Sequence, residues 1–256
     1  MAGNLAKILA QKQSELESLR IRTLPAPPAR REVSLSRASN AGRLSLITEI
    51  KRRSPSAGKL STVLGVGDRA RAYERAGSSM LSVLCDTHFF DGDYRHLQEA
   101  REAVRLPLLC KEFVIDEVQL DVARAYGADA VLLIVRCVTA ARTHELVAAA
   151  RARQLVPFVE VATEDELKIA LDAGADLIGV NARDLDTLIM DAERAARVLA
   201  AIPEHVVRVH LSGLKTPEDV TRIRQSGADA ALVGEALMRA DDPEPLLGSL
   251  AAAAKS

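Results

Sequence analysis

From residue 44 onward the sequence predicts a single α/β domain, a (β/α)8 or TIM barrel over residues 44–256, with residues 1–43 forming an N-terminal helical extension packed on it. Three observations lead there. The first is uninterrupted alternation of short apolar runs with helical stretches, which argues for an all-parallel sheet covered by helices. The second is the count of eight strand candidates, at 44–51, 80–84, 106–110, 130–135, 156–161, 176–180, 206–211 and 230–234, which argues for closure rather than an open sheet. The third is an internal repeat. The phrases AGSSMLSVL, YGADAVLLI, AGADLIGV and SGADAALVG carry glycines at Gly77, Gly127, Gly174 and Gly227, spaced 50, 47 and 53 residues apart. Each phrase reads as a helix ending at a glycine that turns directly into a buried strand, so one repeat is a quarter of a barrel.

The elements follow in order. Residues 4–20 place Leu5, Ile8, Leu9, Leu16 and Leu19 at roughly helical spacing among polar residues, an amphipathic helix. Pro25, Pro27 and Pro28 then interrupt regular structure before the first strand. Helices are expected at 69–76, 94–104, 118–126, 140–153, 164–173, 191–201 and 217–226, each between two strand candidates, with a further short helix opening at Gly234. GVGDRA at 65–70 fits a loose dinucleotide fingerprint, but no convincing strand precedes it and no acidic residue ends a following strand at the right distance, so it is set aside.

Composition excludes several functions. A chain of 256 residues with 48% hydrophobic and 27% charged residues is ordinary for a globular protein. Its 34 basic and 35 acidic residues nearly cancel, so no overall field recruits nucleic acid or an anionic membrane, and any anion must be bound locally. Aromatic content of 3% without tryptophan leaves no platform for stacking bases. Cys85, Cys110 and Cys137 are odd in number and far apart, which suits neither a disulfide framework nor a zinc site. The first 20 residues lack the apolar core and cleavage site of a signal peptide and no run is long enough to span a membrane, so a cytoplasmic location is expected.

In a parallel barrel the chemistry lies at the C-terminal ends of the strands. The stretch LSLITEIKRRSPSAG, residues 44–58, puts Glu49 and Lys51 on one face of a strand otherwise buried on both sides. The other strand ends supply Lys111, Glu160, Asn181 and Ser212. Polar residues at five strand ends would converge on one mouth. Gly213 and Gly234 lie in the last two loops, where such barrels bind phosphate through backbone N–H groups, and Lys51 and Arg183 would add charge. These residues predict a phosphorylated small molecule beside a mixed set of acids and bases, with no metal. Lyase, isomerase or aldolase-type chemistry and a non-enzymatic binding barrel all remain open at this point.

The motifs EIKRRSPSAG, LSVLCDTHFFDGD, LPLLCKEFVID, GVNARDLDT and LVGEALMRADDP resemble those of the indole-3-glycerol-phosphate synthase family along essentially the whole chain. The resemblance implies a cofactor-free ring closure of 1-(2-carboxyphenylamino)-1-deoxyribulose 5-phosphate, with loss of CO2 and water, by a monomer or weak homodimer. Lys111 would be the general acid, assisted by Lys51, Glu49 and Glu160, with Asn181 and Ser212 orienting the substrate. Pro55, Phe90, Phe113 and Leu132 would wall the aryl ring, and Ser54, Ser56, Leu185 and Leu211 would complete the substrate pocket. Lys51, Arg183, Gly213, Gly234 and Glu235 would hold the phosphate. The sequence departs from the family pattern chiefly at Leu211, where a glutamate is usual, and at His210, where a small residue is usual. The resemblance thus implies either an active synthase, including a paralogue with a substituted aryl substrate, or a catalytically weak binding barrel.

Overall fold

A computed structural model describes residues 4–35, 43–54 and 58–255. Eight parallel strands, β1 (Ser45–Ile50), β2 (Met80–Leu84), β3 (Leu108–Lys111), β4 (Ala130–Ile134), β5 (Val156–Val161), β6 (Leu177–Asn181), β7 (Val207–Leu211) and β8 (Ala230–Val233), pair in sequence order. The barrel closes because β1 pairs on one side with β2, Ile47 opposite Met80, and on the other with β8, Ser45 opposite Ala230. The predicted fold class is therefore the observed one.

Helices α1 (Asn4–Arg20), α2 (Val66–Arg75), α3 (Tyr94–Ala103), α4 (Glu117–Ala125), α5 (Ala140–Ala152), α6 (Glu164–Asp172), α7 (Ala192–Ala201), α8 (Pro217–Gln225), α9 (Glu235–Arg239) and α10 (Glu244–Lys255) complete the main elements. Six of the helices that cross between strands start where a side chain can satisfy their free N–H groups, while α2, which follows Gly65, starts without one. Asp93, Asp116, Thr139, Thr163, Asp191 and Thr216 each accept such a bond at the start of α3 to α8. The four repeat glycines all have left-handed backbone, φ between 76° and 100°, which is how each helix end turns back into a strand without a side-chain clash.

Several boundaries differ from expectation for visible reasons. The third strand begins at Leu108 rather than 106, after Pro107, which has no N–H to give the ladder. The fourth ends at Ile134 because Val135–Cys137 winds into a 3-10 turn. α2 starts at Val66, so GVGDRA opens a helix, but a coil and a two-residue antiparallel ladder, Arg53–Ser54 with Gly58–Lys59, come before it. The C-terminal helix α10 was not foreseen. It packs on α2 and α8 and buries Leu247, Leu250, Ala251 and Ala254.

The extension reaches both ends of the barrel. Leu5 and Ile8 of α1, and Leu35 beyond it, belong to the same apolar cluster as the interior residues Ile47, Met80, Leu109 and Phe158. At the mouth, the Asn4 amide donates to the carbonyl of Asp186 and the Leu5 N–H to its carboxylate, at 3.0 and 3.1 Å. At the opposite end, Asp129 accepts the Arg31 N–H at 2.6 Å, the Leu108 N–H at 2.9 Å and the Arg101 guanidinium at 2.7 Å.

Asp129 is fully buried, and its removal leaves two N–H groups and a guanidinium without their acceptor. Asp129→Ala is expected to cost about 3 kcal/mol in urea unfolding, with the pocket at the other end keeping its ligand affinity.

Candidate active site at the barrel mouth

Alternation along each strand builds the site. Interior-facing residues are apolar in the lower layers, with Ile47, Leu109, Phe158, Leu177 and Val209. Two residues further along their strands come Glu49, Lys111 and Glu160, and four beyond Leu177 comes Asn181, all lining a cavity of roughly 1190 Å³ counted to its open mouth. Lys51, two residues beyond Glu49, lines it too. Period two alone thus turns a hydrophobic barrel core into a polar floor.

Glu49 is the centre of that floor. Its carboxylate lies 2.6 Å from the Lys51 ammonium and 3.4 Å from that of Lys111, and its side chain is 3% exposed. Burial by itself would push this carboxyl up, but the two ammonium groups outweigh it and hold it below the usual carboxylate range. Burial would likewise pull Lys111 down; Glu49 and Glu160 overcome that and raise it. Glu49 therefore stays ionised and Lys111 protonated at neutral pH. Gly234 at the end of β8 leaves the room: a Cβ there would sit 2.6 Å from a Glu49 carboxylate oxygen.

On the opposite wall a chain of hydrogen bonds fixes three more groups. Ser212 donates its hydroxyl to the Asn181 side-chain oxygen at 3.0 Å, and the Asn181 amide donates to Glu160 at 2.9 Å. Ser212 has left-handed backbone, φ 73°, and Gly213 follows at 87°, a strained placement for a residue with a side chain. His210, one of the departures from the family pattern, supports it: its Nε2 lies 3.0 Å from the Ser212 carbonyl. The β6 loop carrying Arg183 is shaped by Asp184, which accepts the N–H groups of Asp186 and Thr187 and pairs with Arg136. The Thr187 N–H, followed by Arg136 and further loop donors, outweighs the smaller effect of burial and holds Asp184 down to about 2.

Of the residues expected from sequence, Glu49, Lys51, Ser54, Phe90, Lys111, Phe113, Leu132, Glu160, Asn181, Arg183, Leu185, Ser212, Gly213, Gly234 and Glu235 line this one cavity. Pro55 and Ser56 lie outside the described residues. Leu211 corrects the expectation that it lines the substrate pocket. It is paired in register with Asn181, but is 1% exposed and packs into the interior cluster. Gly179 leaves a gap beside Phe158, and Leu211 fills it: its Cδ1 stands 2.8 Å from where a Gly179 Cβ would be.

Sequence reasoning missed the contribution of the extension. Asn4 and Ile8 of α1 line the cavity, as does Glu112. Lys12, one further turn along α1, is 2% exposed and lies 2.7 Å from Asp86 and 3.2 Å from Glu112. A lysine in place of an apolar residue on an amphipathic helix was the only local signal. Burial pushes Glu112 up to about 7; Lys12 opposes this and Asp86 adds to it.

Comparison with known proteins then decides the family. Residues 2–250 match the profile described as indole-3-glycerol phosphate synthase. The chain belongs to that family. Among its relatives, the indole-3-glycerol phosphate synthase of an Exiguobacterium species is 43% identical, covering 96% of this chain and 95% of that one. Indole-3-glycerol phosphate synthases 1 and 2 of Streptomyces coelicolor are 40% and 42% identical, covering 96% and 95% of this chain and 91% and 96% of theirs. Among solved structures, a 3-hexulose-6-phosphate synthase superposes with a TM-score of 0.65 at 19% identity, over 82% of this chain and 99% of that one, a likeness of fold alone. Among the described residues of this synthase-family chain, no group of three or more His, Cys, Asp or Glu is placed to hold a metal, and no helix is long and apolar enough to cross a membrane.

Two outcomes follow. Gly234→Ala forces Glu49 from its seat between the lysines and is expected to lower kcat/KM by about ten- to a hundred-fold, at a stability cost of about 1–3 kcal/mol. Glu112 binds its proton more tightly folded than unfolded, so its contribution to stability is complete below about 4.5, its ordinary value, and is lost as pH rises through about 7. The melting temperature of Glu112→Gln should therefore change less between pH 5 and pH 8 than that of the parent.

Proposed function

We infer that this chain catalyses the family reaction: closure of 1-(2-carboxyphenylamino)-1-deoxyribulose 5-phosphate to indole-3-glycerol phosphate with release of CO2 and water. The observation that carries this reading is the buried carboxylate of Glu49 held between two ammonium groups, in a cavity lined by aromatic rings and by cationic and glycine-bearing loops. Phe90 and Phe113, with ring centroids 5.9 Å apart, suit an aryl ring. Lys51, Arg183 and the N–H groups of Gly213, Gly234 and Glu235 suit a phosphate.

In this reading Lys111 protonates the sugar carbonyl oxygen while the ring carbon bearing the carboxylate attacks the carbonyl carbon. The new C–C bond forms as the C=O electron pair takes the lysine proton. Cleavage of the C–CO2 bond then returns its electron pair to the ring. Finally the new hydroxyl leaves as water with a proton delivered from the site, and the sugar carbon attached to nitrogen gives up a proton, its C–H electron pair completing the double bond of the indole. Glu49, Lys51 and Glu160 carry the proton traffic of that dehydration, and Asn181 and Ser212 orient the sugar hydroxyls. The steps balance without an external oxidant or reductant. The protein would work in the cytoplasm, as a monomer or weak homodimer, on this phosphorylated small molecule. The apolar Leu211, seated below the floor, favours a second reading in which the same chemistry runs on a substituted aryl ring or runs slowly.

The chain contains no tryptophan, so indole product fluorescence stands against a low protein background. Incubation with the aminodeoxyribulose phosphate is expected to generate that emission, and Lys111→Met to lower kcat by about 10²- to 10⁴-fold. Ligand binding without turnover at high enzyme concentration would favour a binding barrel instead.

A further inference from the structure

We propose that Lys12 is a positioning residue for the reaction: seated between Asp86 and Glu112, its ammonium fixes where the helix of the extension, the Phe90–Phe113 wall and Lys111 stand relative to one another. The link to turnover rests on the synthase reading above. The geometry is that of a keystone. Asp86 is fully buried and ends the segment after β2; one of its oxygens accepts the N–H groups of Phe89 and Phe90 at 2.6 and 3.1 Å, and the other meets Lys12 at 2.7 Å. Glu112 immediately follows Lys111, accepts the Phe113 N–H at 2.7 Å and meets Lys12 at 3.2 Å. One ammonium therefore joins the two backbone segments that present both aromatic rings and the lysine assigned as acid.

Helix docking alone does not call for a charge here. Leu5, Ile8, Leu16 and Leu19 already anchor α1, and an apolar side chain at position 12 would extend their stripe. Replacing a buried ion pair by apolar groups is often neutral or stabilising, because it avoids desolvating the charges. The ammonium instead suits the two carboxyl groups it faces, holding their other contacts, to the N–H groups of Phe89, Phe90 and Phe113, in place. The other groups near Glu112 are Glu15, which also pairs with Lys12 at 2.8 Å, the buried Cys110, and the buried Tyr94 and Cys85, which burial pushes up and so keeps neutral. Lys12 is thus the cation on which both buried carboxylates converge.

Lys12→Met tests the proposal, with Leu16→Ala, one turn along the same helix and away from the carboxylates, as the reference for simple loss of stability. At a temperature where both variants are fully folded, hydrogen exchange at the N–H groups of Phe89, Phe90 and Phe113 is expected to rise at least ten-fold in Lys12→Met alone. Its kcat is expected to fall at least ten-fold, with Leu16→Ala retaining the parent kcat. Unchanged exchange and kcat in folded Lys12→Met, or the same changes in Leu16→Ala, would overturn the proposal. If Lys12→Met does not fold, Lys12→Met/Glu112→Gln, which removes one charge of each sign, should show the same fast exchange at Phe89 and Phe90 and the same loss of kcat; parent values there would overturn it equally. The exchange arm stands even if the parent protein fails to turn over the aminodeoxyribulose phosphate, so a wrong function and a wrong role for Lys12 give different results.

Discussion

A carboxylate with almost no access to water must be neutralised by its neighbours or give up its charge. Glu49 meets that constraint with two lysines from different strands, and the rest of the site follows. Lys51 directly follows the strand of Glu49, and Lys111 ends β3, which β2 alone separates from β1; in the closed barrel all three side chains line one cavity. Closure also sets β8 against β1, and there the absence of a side chain at Gly234 leaves the carboxylate its space. Electrostatics, register and packing therefore meet at one oxygen pair. A change in any of the three would alter the acid strength of Lys111, the group on which the proposed chemistry turns.

Most of this was legible in the amino-acid sequence because strands obey a strict two-residue alternation. Once a run such as LITEIK is placed in a parallel barrel, its inward face is known, and so is the end at which chemistry collects. The match of fifteen expected residues to one cavity follows from that rule and from the family motifs. Leu211 shows where the rule stops. It stands in register with Asn181, but its side chain fills the hole that a glycine on the neighbouring strand leaves, since apolar surface fills such gaps in preference to facing a polar cavity. Alternation predicts the face of a strand and says nothing of the height at which a side chain settles.

Lys12 and the extension were illegible for a different reason. The pattern of α1 identifies a helix, but what it docks against is set by residues about a hundred positions away in the chain. A lysine among leucines on a helix is ordinarily a solvated residue with its stem on the surface. Only the folded barrel, which brings Asp86 and Glu112 to the same spot, makes it a buried cation. The same holds for Asn4 and Ile8: their place in the pocket wall is a property of docking, and docking leaves little trace in local sequence.

The placement of α1 also bears on traffic. Through Lys12 and its first residues it stands over the ends of β2, β3 and β6, above the aromatic half of the cavity, while the glycine-bearing loops after β7 and β8 line the other half. A ligand of the proposed kind would slide in with its ring leading, beneath the helix, and its charged ester would be the last part to leave bulk solvent. On departure the order reverses, so the ester would be the first group rehydrated, and release would begin at the end of the molecule farthest from the newly made bond.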